Sequence, residues 1–254
     1  MIRLNDYPFA VLLTALVVLW LAVWTGSRLR SRKVLEDDLR EDFGVVLAAV
    51  MTLLGLIIGF SFSMAISRYD DRKTLEEAEA NAIGTEYLRA DLLPTADAAA
   101  VRALLVRYLD QRIAFYAARD KKELQMIDAE TARLQADLWS AVRTPALAQP
   151  TPLTALVVSG MNDVLNSQGY TQAAWWNRIP RAAWVLMTVV AIAANVMLGF
   201  MAKRAESERT LLLVMPLLVG VALALIADIE SPRGGVIRVQ PQNLIALAES
   251  LKAR

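Results

Sequence analysis

Four long apolar runs without a single charged residue constrain this chain more than any other feature. They lie at residues 8–25, 44–66, 182–202 and 211–227. A helix needs roughly 20 apolar residues to cross the hydrocarbon core of a bilayer, and helices buried in soluble proteins rarely show several such runs. The runs therefore predict an all-α, multi-pass membrane protein with four transmembrane helices, for which the lipid bilayer is the first partner.

The first run could also be the apolar core of a secretory signal peptide. Three observations favour a transmembrane helix instead. Arg3 is offset by Asp6, so the start of the chain is weakly basic, the apolar run is long, and no A-x-A cleavage site follows it. We therefore interpret residues 8–25 as the first transmembrane helix.

The segment between the second and third runs predicts a helical extramembrane domain. No glycine or proline lies between Gly59 and Gly84, so the second transmembrane helix should continue into this domain as one long rod. A further helix should start after Pro94 with Thr95 as its N-cap, and another at Thr151 with a proline behind the cap. Between them, residues 144–150 are expected to form a linker.

Apolar residues three and four positions apart predict which faces of these helices form the core of a bundle. The predicted core positions are Val101, Leu104, Leu105, Tyr108, Leu109, Ile113 and Tyr116, then Leu124, Ile127, Leu134, Leu138 and Val142, then Leu153, Leu156, Val157, Met161, Val164 and Leu165.

The chain thus divides into four parts. Residues 1–66 hold two transmembrane helices and a short basic connector, and residues 67–179 form the extramembrane domain. Residues 180–230 hold the other two transmembrane helices. Residues 231–254 form a tail that is rich in turn-forming residues and ends in a short helix at Asn243 to Leu251.

Composition argues against most enzyme and metal chemistry. The chain has no cysteine and no histidine, which excludes disulfides, thiolate nucleophiles, Cys/His zinc sites and His-based triads. A net charge of +1 gives no reason to expect a nucleic-acid partner. The acidic clusters lack metal-loop spacing and are typical of solvated helix faces. Their members are Glu76, Glu77 and Glu79, and Asp70 and Asp71. We expect no catalytic residue, metal or cofactor, and therefore no enzyme.

A membrane enzyme would need a polar cluster around a cleft. Glu86, Tyr87, Arg89 and Arg112 are the residues that could converge to form one, but nothing in their spacing demands it.

Charge in the short connectors predicts the orientation. Arg28, Arg30, Arg32, Lys33 and Arg40 follow the first run, and Lys203, Arg204 and Arg209 follow the third. Short cytoplasmic loops of inner-membrane proteins carry an excess of lysine and arginine. We therefore expect that the central domain and both termini lie outside the cytoplasm.

The second run carries a stripe of small and hydroxyl residues. Members three and four positions apart are Gly44, Ala48, Thr52, Gly55, Gly59, Ser63 and Ser67. Tight helix packing within or between subunits, through a G-x-x-x-G motif, is the commoner use of such a stripe. The functional alternative is a pore wall that offers hydroxyls to an ion. Leu54, Ile58 and Phe62 run beside it and would form a hydrophobic constriction or face lipid.

None of the four runs contains Asp, Glu, Lys or Arg. Proton pumps and ion-coupled transporters usually need an ionisable group within the membrane. That class is therefore not expected.

Two blocks carry a resemblance to a known family. GLIIGFSFSMAISRYDDRKTLEEAEANAIGTEYLRADLLP at 55–94 is similar to the core signature of the bacterial bestrophin-like family, and DIESPRGGVIRVQPQNL at 228–244 resembles its C-terminal signature. The polar residues that match the signatures are Arg68, Tyr69, Glu79, Asn81, Tyr87, Arg89, Asp228, Arg233 and Arg238.

The resemblance implies a distant relation to bestrophins, which are pentameric anion channels whose second helix lines the pore. It implies a homo-oligomer, a pentamer if the relation holds, that conducts small inorganic anions. The pore-lining candidates are then Thr52, Gly55, Ile58, Gly59, Phe62, Ser63 and Ser67. The alternative function is a non-conducting scaffold or sensor whose helical domain binds a partner or ligand.

Overall fold

A computed structural model describes residues 7–30, 37–202 and 209–253, and these residues are helical with no strand. The all-α prediction is therefore confirmed. The helices are α1 (Pro8–Arg30), α2 (Asp37–Arg89), α3 (Thr95–Ala117), α4 (Lys121–Ala148), α5 (Pro152–Trp176), α6 (Arg181–Met201), α7 (Arg209–Glu230) and α8 (Gln242–Lys252), with a short 3-10 turn at Ala90–Leu92.

The helices form two compact units. The membrane unit consists of Met1–Arg68 and Arg178–Arg238, and the polar unit consists of Tyr69–Asn177 and Val239–Arg254. α2 contributes to both units, as the absence of a helix breaker predicts. Its 53 residues make a rod of about 80 Å, far longer than a bilayer is thick. Residues 69–89 of α2 therefore lie outside the membrane-spanning segment.

In the membrane unit, each of the four apolar runs lies in a helix. Among the described residues, four helical segments are long and apolar enough to cross a membrane, which confirms the four predicted transmembrane helices. α1 packs against both α6 and α7. α7 continues through Pro216 without interruption.

The closest packing in this unit is between α1 and α6. A β-carbon at Gly26 would lie 2.0 Å from the carbonyl oxygen of Val196, and one at Gly199 would lie 2.0 Å from the carbonyl oxygen of Val23. No side chain fits at either position. Two glycines thus allow direct contact between helix backbones, which is how helices associate in lipid.

The cytoplasmic-side prediction depends largely on residues outside the described ranges. Arg32, Lys33, Lys203 and Arg204 fall in those gaps. Two basic residues that are described have a structural role. The Nη1 atom of Arg30 donates to the carbonyl oxygens of Phe200 (3.2 Å) and Met201 (2.7 Å), and Arg40 also donates to Met201. They thus satisfy carbonyl groups at the end of α6 that have no partner within the helix.

In the polar unit, α3, α4 and α5 surround one core. Most predicted core positions are confirmed, since Val101, Leu105, Leu138, Val157 and Met161 are among its fully buried members. α5 departs from the prediction at its start. Leu153 and Leu156 are exposed, because the buried face of α5 begins at Thr154 and Val157 instead.

Helix ends in the polar unit confirm one predicted cap and contradict another. Thr151 caps α5, accepting a hydrogen bond from the Thr154 amide at 3.2 Å. Thr95 is already helical and makes no cap, because Pro94 occupies the cap position. The predicted linker at 144–150 is wrong for most of its length, since α4 runs through Pro145 to Ala148. Proline removes one N–H donor there without preventing the last turn from forming.

Candidate functional site

The apolar segment of α2 is the least covered of the four. Within the chain, 6 % of the residues in its most apolar 18-residue stretch are buried. The corresponding stretches of the other three candidate spans are 28 %, 28 % and 44 % buried. α1, α6 and α7 pack against one another, whereas most of the apolar segment of α2 is left uncovered by the described part of the chain. The outward face of α2 is therefore the candidate functional surface.

The inward face of α2 is narrow and follows a regular spacing. Leu54, Ser61 and Ala65 are its buried residues within the span. Their spacing of seven and four residues places them on one side of the helix. The stripe of small and hydroxyl residues lies on the other side of α2.

The structure puts most of the predicted pore-lining residues at that outward face or its edge. The side chains of Thr52, Ser63 and Ser67 are exposed, as are Gly55 and Gly59, while Ile58 and Phe62 are half-buried and flank them. β-carbons at Gly55 and Gly59 would meet nothing within 4 Å. The G-x-x-x-G motif therefore makes no close helix contact within this chain.

The suggested hydrophobic constriction changes in two members. Leu54 is only 2 % exposed, because it lies on the inward face of α2. It therefore cannot line a pathway on the outward face. Ile58 follows Leu54 by four residues and precedes Ser61 by three, so it lies on the same side of the helix. Phe62, half-buried at the edge of the outward face, remains as the candidate for a constriction.

Two of the signature residues, Arg68 and Asp228, make polar contacts at the C-terminal end of α7. Glu230 is buried and pairs with Arg68 at 3.3 Å, and its second oxygen accepts the Ile179 amide at 2.7 Å. The carboxylate of Asp228 accepts the amides of Val236 and Ile237, at 2.7 and 2.8 Å.

The tail after α7 is thereby held in a defined turn. Within it, Arg238 donates to the carbonyl oxygen of Gly235, and Arg233 is half-buried. These arrangements account structurally for signature residues that sequence alone offers as sites.

A buried ion pair lies inside the polar unit. Glu79 of α2 pairs with Arg112 of α3, and Thr171 of α5 donates to the same carboxylate at 3.2 Å. Both charged side chains are 0 % exposed. Glu76 is also buried, so the prediction of solvated acidic faces is wrong for Glu76 and Glu79. It holds for Glu77, which is exposed.

The ion pair changes the proton affinity of its neighbours. Burial alone would lower the pKa of Arg112, but the adjacent Glu79 carboxylate raises it above the ordinary value. Burial, and then the charge of Glu79, raise the pKa values of Tyr108 and Tyr116 above their ordinary value. Arg112, Tyr108 and Tyr116 therefore keep their protons across the physiological pH range.

Glu76 holds the terminal helix in the polar unit. Its two carboxylate oxygens accept the Leu244 amide at 2.9 Å and the Asn243 side-chain amide at 2.7 Å. Negative charge at a helix N-terminus is favourable, because the first N–H groups have no partner within the helix. This acid thus caps α8.

The remaining signature residues lie apart from one another. Asn81 is exposed on α2, and Tyr69 packs against the edge of the polar core. The Tyr87 carbonyl accepts a hydrogen bond from Arg102 at 3.3 Å. Arg89 pairs with Asp163 at 4.0 Å.

The four residues considered for an enzyme cleft belong to different clusters. Arg112 pairs with Glu79, whereas Glu86 and Arg89 lie against Gly160 of α5. Tyr87 lies beneath the guanidinium of Arg102, 5.1 Å from the ring centre. Among the described residues, no group of three or more acidic side chains is placed to hold a metal ion.

Sequence reasoning missed two features of this arrangement. It did not find the Gly26 and Gly199 contact, because these glycines are 173 residues apart in the chain and form no local motif. It also did not find that Arg112 forms an ion pair with Glu79. The signal for that pair was present, since Arg112 falls within the apolar stripe of α3, where an unpaired charge would be very unfavourable.

Comparisons with known proteins give a consistent result. A family model described as the bestrophin-like domain matches residues 12–244. No curated protein matches the chain. A crystal structure of a variant of a bacterial bestrophin homologue from Klebsiella pneumoniae has a TM-score of 0.68 at 13 % identity, covering 95 % of this chain and 94 % of that chain.

Two further crystal structures of that homologue agree. One, phased with zinc, has a TM-score of 0.62 at 14 % identity and covers 95 % of this chain and 94 % of that chain. Another variant has a TM-score of 0.65 at 13 % identity and covers 96 % and 97 %. At this level of identity the likeness shows a shared fold.

Proposed function

The chain belongs to the bestrophin-like family, and from this premise we propose that it assembles into a homo-oligomeric ion channel whose pathway is lined by α2. Bestrophin homologues are channels rather than enzymes. The single observation that carries the proposal is the exposure of the apolar segment of α2, of which 6 % is buried within the chain.

The chemistry of the outward face supports a pathway rather than a lipid contact. Lipid tails gain nothing from glycines and hydroxyls, and they are as apolar as leucine. A water-filled pathway would hydrate Ser63 and Ser67 and leave room at Gly55 and Gly59. Copies of α2 placed around an axis would then present this face to the ion.

Along this segment, ion selectivity would have to come from hydroxyl and backbone dipoles and from the width of the pore, because no charged side chain is available. Residues 44–66 contain no Asp, Glu, Lys or Arg. Thr52 donates its hydroxyl hydrogen to the Ala48 carbonyl at 2.9 Å, which leaves its oxygen to face the pathway. Phe62, at the edge of the outward face, would form an apolar constriction that opens and closes to water.

Anion conduction and a five-fold assembly are the finer parts of the proposal, and both follow from the family relation. A bacterial inner membrane also follows from the family relation, and the placement of the polar unit and both termini outside the cytoplasm follows from the charge of the short connectors. A reporter fused to the C-terminus, active only outside the cytoplasm, should be active. Inactivity of that fusion in a folded protein would reverse the orientation and leave the channel proposal intact.

A non-conducting scaffold or sensor is the alternative. It requires an α2 span that is fully packed against the other spans of its own chain. The small amount of burial along α2 does not favour it.

The decisive experiment is conduction by the purified full-length oligomer in planar lipid bilayers. We expect single-channel currents, and Phe62→Ala should raise the conductance because it removes an aromatic ring from the constriction. Phe9→Ala is the matched control, since Phe9 is 69 % exposed on α1 and should leave the current unchanged. Correctly assembled oligomers that pass no current would refute the proposal.

The same preparation identifies the ion. With a potassium chloride gradient across the bilayer, an anion channel should reverse near the chloride equilibrium potential. Reversal near the potassium potential would overturn anion selectivity while leaving α2 as the pore wall.

A further inference from the structure

A buried acid without a partner lies between α2 and α5. The side chain of Glu86 is 0 % exposed, and neither of its carboxyl oxygens has a hydrogen-bond partner. A β-carbon at position 160 would lie 2.0 Å from one of those oxygens and 2.3 Å from Nη1 of Arg89. The cleft that holds Glu86 and Arg89 therefore exists only because residue 160 is glycine.

Two charged groups act on Glu86, one from each helix. Arg89 lies one turn further along α2, and Asp163 lies one turn beyond Gly160 on α5. Arg89 lies between the two acids, with Nη1 at 4.0 Å from Asp163 and beside the Glu86 carboxyl at the face of Gly160. On the neighbouring elements, Arg102 of α3 and Asp91 of the 3-10 turn pair with each other.

The surroundings of Glu86 favour its neutral form. Burial raises the pKa of Glu86 from 4.5 to about 8, with Arg89 opposing the shift and Asp163 adding to it. A neutral carboxyl group in a closed cleft is far less unfavourable than a carboxylate there.

The composition makes this acid unusual. The chain contains no histidine and no cysteine, so ordinary side chains hardly titrate between about pH 6 and pH 8. Apart from an α-amino group, a response of this protein to pH near neutrality therefore needs a side chain with a displaced pKa, such as Glu86.

We propose that Glu86 is a proton-binding switch between α2 and α5, which holds its proton while the two helices are packed and recruits Arg89 from Asp163 when it loses that proton to water. Ionisation places a negative charge in the cleft, and Arg89 is the cation within reach. As Arg89 turns to Glu86, Asp163 loses its partner and the contact at Gly160 loosens. The inference does not rest on channel activity, although Glu86 lies on the helix proposed to line the pathway.

The first test is thermal unfolding of the purified full-length protein between pH 5 and pH 8.5. A folded state that holds a proton which the unfolded state releases loses stability as pH rises from 4.5 towards 8. The unfolding temperature of the native protein should therefore fall across this range relative to Glu86→Gln. Glu77→Gln, an exposed acid on the same helix, should follow the native profile. Parallel profiles of the native protein and Glu86→Gln would overturn the proposal.

Two charge variants test the switch without altering Glu86, and they also serve if Glu86→Gln does not fold. The pKa of Glu86 in the folded protein sets the pH at which the loss of stability ends. Asp163→Asn should lower that pH, and Arg89→Gln should raise it, each by about one unit. Shifts in the same direction, or none in either variant, would contradict the arrangement.

Hydrogen exchange tests the loosening itself. Between pH 7 and pH 9, after correction for the intrinsic rate, residues 152–176 should exchange faster in the native protein and at an unchanged rate in Glu86→Gln. The same acceleration in both proteins would refute the switch. An oligomer that conducts no current would refute the channel and leave these outcomes unaffected.

Discussion

The two halves of α2 bury different kinds of residue. In the membrane unit its exposed side chains include Phe60, Leu53 and Leu56, while Leu54, Ser61 and Ala65 point inward. In the polar unit the same helix buries Glu76 and Glu79, together with Arg72 and the neutral Glu86. One continuous helix thus presents apolar side chains outward in one half and ionisable side chains inward in the other.

The difference follows from the surroundings of each half. Lipid is as apolar as a leucine side chain, so covering leucine with protein gains little there, and helices associate through small residues instead. In water, covering apolar surface is the main driving force, and a charge that is caught in the core must be paired. Burial alone is therefore a poor guide to importance unless the solvent is known.

The largest expected effect tests the buried pair of the polar unit. Glu79→Ala leaves Arg112 as an unpaired buried cation and removes the acceptor of Thr171. Breaking one partner of a buried ion pair typically lowers the free energy of unfolding by about 3–5 kcal/mol. Unfolding of the purified chain, followed by circular dichroism in a denaturant series, should show this loss.

The matched control is Glu77→Ala, two residues away on the exposed side of α2. It should change the free energy of unfolding by less than about 0.5 kcal/mol. Replacing both Glu79 and Arg112 by methionine should recover most of the loss, because no charge is then left unpaired. Equal losses for Glu77→Ala and Glu79→Ala would show that burial in this half does not matter as argued.

An intermediate effect tests the membrane unit. Gly199→Ala places a methyl group 2.0 Å from the carbonyl oxygen of Val23, and the helix backbones must separate. We expect a loss of about 1–3 kcal/mol, the usual range for overpacking. The unfolding temperature of the detergent-solubilised protein measures it.

Gly59→Ala adds the same methyl group where nothing lies within 4 Å. The stability of a single chain should not fall. Any defect of Gly59→Ala should therefore appear in assembly or conduction, which separates a contact between copies from one within the chain. A large loss of single-chain stability in Gly59→Ala, with none in Gly199→Ala, would reverse the roles assigned to the two glycines.

Features that depend on local sequence could be predicted. The four transmembrane helices follow from apolar length, the unbroken α2 from the absence of a breaker, and the α5 cap from a threonine followed by proline. The core stripes of α3 and α4 follow from helical spacing. In each case the determining residues lie within a few turns of one another.

Features that depend on distant partners could not be predicted. Glu76 and Glu77 are neighbours of the same type, yet one caps α8 and the other is exposed. The G-x-x-x-G motif of α2 looks like a packing site, but the backbone contact forms at Gly26 and Gly199. Leu153 and Leu156 fit an apolar stripe and are nonetheless exposed. These outcomes depend on which helix comes alongside, and that is not a local property.

The smallest expected effect concerns helix ends in the polar unit. Thr151→Ala removes an acceptor from the Thr154 amide, and the loss should be about 1 kcal/mol, the usual effect of removing the side chain of an N-cap residue. Thr95→Ala is the control, since Thr95 makes no cap, and it should be neutral in the same denaturant series. A larger loss for Thr95→Ala than for Thr151→Ala would mean that sequence had identified the first cap correctly after all. Equal, negligible changes would show that the reciprocal bonds at Thr151 are replaced fully by water, and that the polar unit draws its stability from its core and its buried pairs alone.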